Sequence, residues 1–224
     1  MAADIAHFIN SQGLGDTGIN LVGHSMGGKA VMSFALNSEL NKPLRTLTSV
    51  DMAPVKGKVS PEYVLPPLVS TNASFETYIE SMKAVDEAQV GSRSEADKIL
   101  AKVEANPGIR QFLLTNLRSD KDESGKSIMR FRVPLQLLGD AIPSIGDFPY
   151  TPPPPVSATS PQWTGPTVFI KGAKSKYINS RNIPVCEAFF PNATIETLDA
   201  GHWVHSEKPL EVVEIVAKLV QGAK

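Results

Sequence analysis

This sequence is short of cysteine, of surplus basic charge and of long apolar runs, and each shortage removes a class of function. Its one cysteine, Cys186, cannot close an internal disulfide, so no disulfide framework holds the fold. A lone thiol of this kind is expected as a small buried apolar residue. Lys and Arg number 22 and Asp and Glu 23, for a formal net charge of −1. A nucleic-acid binder needs excess positive charge to neutralise phosphates, so no nucleic-acid partner is expected. No apolar run approaches the ~18 residues of a membrane-spanning helix, so no membrane span is expected. The first ten residues carry no basic segment ahead of an apolar one, so no targeting segment is visible in them. Metal and cofactor signatures are missing too. There is no H-E-x-x-H, no cysteine pair, no calcium-loop spacing, no G-x-G-x-x-G and no P-loop, and no metal or cofactor is expected.

What is present points to a folded domain. With 42% hydrophobic and 20% charged residues in a chain of 224, the sequence can bury a core and should form one domain carrying an insertion. Ile5, Phe8 and Ile9 share a helical face, and that helix should stop near Gly13-Leu14-Gly15. Ile19-Asn20-Leu21-Val22 reads as a buried strand, followed by a helix over 27–37 and a second strand at Leu47-Thr48-Ser49-Val50. Short apolar strands separated by a helix imply a parallel sheet covered on both faces.

From 56 to 159 the pattern changes to amphipathic helices, Phe75–Val90, Ser94–Ala105 and Gly108–Leu117, with Ser92 and Ser94 as candidate N-caps. Asp120–Lys126 reads as a solvated turn, Arg130–Leu138 is ambiguous, and Thr151–Pro155 reads as an extended polyproline linker. The first pattern then resumes, with strands at Thr167–Ile170 and Ala193–Leu198, a helix over Asn179–Phe189 and a last helix from Pro209. The expected organisation is an α/β core made of 1–55 and 160–224, with a helical lid over 56–159.

The chemistry starts at Gly23-His24-Ser25-Met26-Gly27, a G-x-S-x-G pattern. It lies between a strand and a helix, the context in which a serine on a tight strained turn projects its hydroxyl from the sheet. Side chains at the flanking glycines are expected to collide with neighbouring backbone. The helix that follows aims unpaired N–H groups at a developing oxyanion.

A serine hydroxyl needs a base, and histidine is the usual one. Of four histidines, His7 lies on the first helix and His24 inside the turn, which leaves His202 and His205. His202 follows a strand and a glycine, on a loop at the carboxyl end of the sheet where such sheets hold ligands. It is favoured over His205. The third member is a carboxylate that orients the imidazole. Its common place is the loop after strand 167–170, but Gly172–Tyr177 contains no acid. Asp51, at the end of the strand after the nucleophile helix, is therefore assigned. Asp199, three residues before His202, is the alternative, and Asp147 and Asp140 lie in the insertion.

These motifs carry a resemblance. Gly23–Lys29, Val50-Asp51-Met52-Ala53-Pro54-Val55, Ile170–Tyr177 and Gly201-His202-Trp203-Val204-His205-Ser206-Glu207-Lys208-Pro209 run in order across nearly the whole chain. Together they resemble the alpha/beta-hydrolase superfamily. Within it the likeness is to YbfF-type esterases and their mitochondrial relatives, which include an alpha/beta-hydrolase-domain protein and a yeast ethanol acetyltransferase. The resemblance implies an acid after the strand following the nucleophile helix, in agreement with Asp51, and a mitochondrial compartment. It also implies several strands ahead of residue 1, with a His-Gly loop supplying a second oxyanion donor. At ~20 residues per strand-plus-helix unit that is about 80 residues, so a truncated chain is expected, in which strand 19–22 lacks a neighbour and exposes an apolar edge.

The expectation is thus a serine hydrolase acting on a small-molecule ester or acyl thioester. Ser25 is the nucleophile, His202 the base, Asp51 the orienting acid and the Met26 N–H the oxyanion donor. His24, Phe75, Tyr78, Phe112 and Leu113 are candidate substrate-binding residues. An acyltransferase using the same triad, and a catalytically impaired fragment, are the alternatives.

Overall fold

The computed structural model describes residues 1–56, 74–152 and 161–223. In chain order its first elements are α1 (Ala2–Ser11), β1 (Ile19–His24), α2 (Met26–Ala35) and β2 (Leu44–Val50). There follow α3 (Phe75–Glu87), α4 (Arg93–Leu100), α5 (Pro107–Leu114), β3 (Leu117–Lys121), β4 (Ser127–Phe131) and α6 (Leu135–Ile145). The chain ends with β5 (Thr167–Gly172), α7 (Ile183–Phe189), β6 (Ala193–Leu198), α8 (Val204–Glu207) and α9 (Pro209–Gly222). These fall into two compact units, residues 1–57 with 146–224, and residues 58–145.

The first unit is a parallel four-stranded sheet in the order β1-β2-β5-β6 with helices around it. Alternation along β5 explains the two-sided core. Phe169 packs with Met32, Leu47, Phe189 and Phe190 in one cluster. Val168 and Ile170 pack with Val50, Val204 and Val212 in another. Cys186 is buried in the Phe169 cluster, and burial pushes its thiol up to about 12. β1 is the exposed edge strand expected at 19–22, not a strand buried on both faces. It lies at one end of the strand order, its burial alternates, and Val22 is half exposed. Register sets His24 opposite Val50 and Val50 opposite Ile170, so β1, β2 and β5 reach the same rim.

Lys29 is a buried cation on α2 whose Nζ donates to the carbonyls of Val55, at 2.9 Å, and Gly146. Two residues on, Phe148 is fully buried in the core of this same unit. The boundary expected near residue 160 therefore lies earlier, at 146. Of the polyproline linker only Thr151 and Pro152 are described; residues 153–155 lie outside the described residues.

The second unit packs helices around Ile79, Met82, Val85, Leu100, Leu114 and Phe131. Ser74, Ser92 and Asn106 cap α3, α4 and α5 by accepting from backbone N–H groups, whereas Ser94 lies inside α4. The antiparallel hairpin β3–β4 is a feature the sequence did not reveal. Its turn is solvated, as the charges of Asp120–Lys126 imply, but β3 shows only Leu117 buried and carries no apolar alternation. Among the described residues no helix is long and apolar enough to cross a membrane.

Candidate active site

Two strands in register place two strained residues side by side. Ser25 follows β1 with φ 54° and ψ −118°, and Asp51 follows β2 with φ 50°. A side chain in this region of φ is costly and persists only where surrounding structure enforces it. Here the enforcement is visible. Ser25 N donates to Val50 O at 3.2 Å and Asp51 N to Ile170 O at 2.8 Å, which extends the sheet bonding one residue past each strand. Ser25 is the N-cap residue of α2, yet its side chain makes no capping bond.

The glycines of the turn are not equivalent. A Cβ on Gly23 would lie 2.3 Å from Gly27 O, and one on Gly28 would lie 2.8 Å from Ser49 Oγ and 3.0 Å from Met52 Cβ. A Cβ on Gly27 would meet nothing within 4 Å. The expected collision at both flanking glycines holds for Gly23 alone, and Gly28 makes the second close approach, against the Asp51 loop.

Asp51 is fully buried and both carboxylate oxygens are bonded. Oδ1 accepts from Gly172 N at 3.0 Å, and Oδ2 lies 2.8 Å from His202 Nδ1. A carboxylate only accepts, so Nδ1 carries the proton, and the tautomer this selects has its lone pair on Nε2. His202 is 4% exposed, and its Nε2 is buried with no hydrogen-bond partner among the described residues. The structure closes the Asp51–His202 link and leaves His202 Nε2 unbonded to Ser25. Catalytic hydrogen bonds are often long in ligand-free enzymes and tighten when substrate binds.

The loop bearing His202 is fixed at several points. Gly201 N donates to both carboxylate oxygens of Glu207, each at 3.0 Å. Gly172 admits the loop, since a Cβ there would lie 2.1 Å from Gly201 O. The Tyr177 ring stands 4.3 Å from the His202 ring. Sequence reasoning gave Tyr177 and Glu207 no role, although both fall within the family motifs, and that was the available signal.

His24 was expected in the substrate-binding group. Instead its Nε2 lies 2.9 Å from the carbonyl oxygen of His202. His205 is exposed, with its ring 4.4 Å from that of His24, and has no bond to Asp51. Asp199 is exposed and paired with Lys174 at 2.8 Å, which removes it as an orienting acid. Asp147 and Asp140 are exposed, accepting from Phe148 N and Gln136 respectively.

Met26 opens α2, where a first-turn N–H has no intrahelical acceptor. The four other predicted substrate residues lie in the second unit. Tyr78 is buried there and donates to Glu104, and Leu113 packs on that unit's core, so neither fits the expected lining role. They face inward because they lie on the apolar faces of α3 and α5. Phe75 is half-buried and Phe112 is exposed. Among the described residues no group of three or more His, Cys, Asp or Glu could hold a metal ion.

Comparison with known proteins supplies the family. The alpha/beta hydrolase fold family matches residues 1–209. The chain belongs to that family. One relative of this alpha/beta hydrolase is a Xenopus laevis protein named "sn-1-specific diacylglycerol lipase ABHD11", 34% identical over 100% of this chain and 64% of its own length. Another is a Saccharomyces cerevisiae protein named "Probable alcohol acetyltransferase", 32% identical over 99% of this chain and 62% of its own length. The chain thus spans somewhat under two thirds of these relatives. A solved structure of a marine microorganism esterase superposes with a TM-score of 0.73 at 27% identity, over 97% of this chain and 75% of that one.

Proposed function

We propose that this alpha/beta hydrolase cleaves carboxylic esters or thioesters of small molecules through an acyl-enzyme on Ser25. The observation that carries the reading is the buried Asp51–His202 pair, which leaves an imidazole lone pair at the rim where strained Ser25 sits. His202 Nε2 takes the Ser25 Oγ proton as Oγ attacks the carbonyl carbon. Negative charge on the carbonyl oxygen is met by the Met26 N–H at the head of α2. The tetrahedral intermediate collapses, and His202 returns its proton to the departing alcohol or thiol. Water, deprotonated by His202, then attacks the acyl carbon; the bond to Ser25 Oγ breaks, His202 returns the proton to Oγ, and the acid leaves. Asp51 keeps His202 in the productive tautomer and balances the imidazolium that forms at each step. The esterase and lipase names of similar proteins support ester cleavage.

A second reading replaces water with an alcohol at the last step, and the name of the yeast relative favours it. A mitochondrial location, implied by the resemblance, belongs to the proposal as well and is checked by subcellular fractionation.

The test is hydrolysis of p-nitrophenyl esters of graded acyl length by the wild type and by Ser25→Ala, with and without ethanol. Turnover confined to the wild type supports the proposal, and ethyl ester formed in ethanol favours the second reading. Equal turnover by Ser25→Ala contradicts both.

A further inference from the structure

We infer that His24, the residue before the nucleophile, is a positioning residue that holds the catalytic His202 loop against the nucleophile turn through the His202 carbonyl. The inference rests on the proposed roles of Ser25 and His202 and adds one they do not contain.

A carbonyl oxygen only accepts, so the 2.9 Å contact from His24 Nε2 to His202 O requires a proton on His24 Nε2. Burial pushes His24 down to about 4, which keeps its ring neutral near pH 7. The ring lies 4.6 Å from His202, 5.4 Å from Trp203 and 4.4 Å from His205, so three rings of the loop surround it.

The loop's other anchors act elsewhere. Glu207 holds Gly201 N, and Asp51 holds the far side of the His202 ring. Neither of these two bonds runs to the nucleophile turn, whereas the bond from His24 starts in it. Because Ser25 is the next residue, the bond fixes the distance between the two groups that must exchange a proton. That matters here because His202 Nε2 is not yet bonded to Ser25. A misplacement of about 1 Å between such groups can cost ~10²-fold in rate.

Glutamine can place its side-chain amide nitrogen near the position of histidine Nε2 and donate to the same carbonyl; leucine cannot. The experiment therefore compares the wild type with His24→Gln, His24→Leu and Ser25→Ala. It follows ester hydrolysis, thermal midpoint and the downfield proton resonance of His202 Nδ1–H. His24→Leu should lower kcat by about 10- to 100-fold with KM within about threefold, and should shift or broaden that resonance. His24→Gln should restore kcat to within about threefold, a rescue that filling space alone would not give. Wild-type kcat in His24→Leu overturns the inference. So does a His24→Gln variant that loses as much kcat as His24→Leu while its thermal midpoint matches the wild type. Hydrolysis that survives in Ser25→Ala instead contradicts the proposed function, so the two failures are distinguishable.

Discussion

Asp51 Oδ2 lies 2.8 Å from His202 Nδ1, across a separation of 151 residues in the chain. Both side chains are almost fully buried. A lone carboxylate in such a place would be strongly disfavoured. Here the Gly172 N–H and the His202 N–H satisfy both of its oxygens.

Replacing Asp51 by Asn leaves the shape nearly unchanged but lets the amide N–H face His202 Nδ1. The ring then reverses its tautomer, the proton moves to Nε2, and the base is lost. Asp51→Asn should lower kcat by about 10³–10⁴-fold with little change in KM. Steady-state kinetics on an activated ester checks this. A variant retaining a tenth of wild-type kcat would remove Asp51 from the mechanism.

His24 makes stability depend on pH in a defined window. Its ring is pushed down to about 4 from an ordinary 6.5 by burial, with His202, His205 and Asp51 as the titratable groups around it. Between these two values the unfolded chain binds a proton that the folded chain does not. Unfolding free energy therefore rises with pH across the window and falls on acidification from 6.5 toward about 4; above 6.5 the contribution is constant. Urea unfolding of the wild type and His24→Gln at pH 7 and at about pH 5 measures the difference. The wild type should lose more of its midpoint than the variant. Equal losses would show that His24 titrates alike in both states.

The glycines of the turn give a steric test. Gly28→Ala puts a Cβ against Ser49 Oγ and Met52 Cβ, and should destabilise by about 1–3 kcal/mol. Gly27→Ala meets open space inside a helix, and should be neutral or stabilising by up to ~1 kcal/mol. Thermal unfolding of the two variants checks the order. A larger loss at Gly27 would contradict the packing described.

Much of the fold was legible in residues 19–50 and 167–198 because central parallel strands are buried on both faces and so read as short runs free of charge, as in Thr46–Val50 and Thr167–Ile170. The apolar run of β1 alone reads as a buried strand, since such a run says nothing about a strand's place in the sheet; its exposed edge was legible only through the family resemblance. The hairpin β3–β4 was hidden because it offers Leu117, Ile128 and Phe131 to its core but no continuous alternation. At the site, the strained turn at Ser25 was readable from the glycines around it, and the placement of Asp51 beside His202 from the missing acid in Gly172–Tyr177. The bond from His24 to His202 was not readable. It ends on a backbone carbonyl, which every residue has, and it joins positions 178 apart. Gly28 was overlooked for a related reason, since the motif names Gly27 and only packing shows which glycine is pressed.

The central claim is that Ser25 is an activated nucleophile served by His202 and Asp51. Its most direct test is to treat the protein with a fluorophosphonate and locate the adduct by peptide mass spectrometry. The account predicts stoichiometric phosphonylation on the peptide containing Ser25, abolished in Ser25→Ala and slowed at least about 10³-fold in His202→Ala. Absence of any adduct on the folded wild type, or an adduct on another residue that persists in Ser25→Ala, would contradict it.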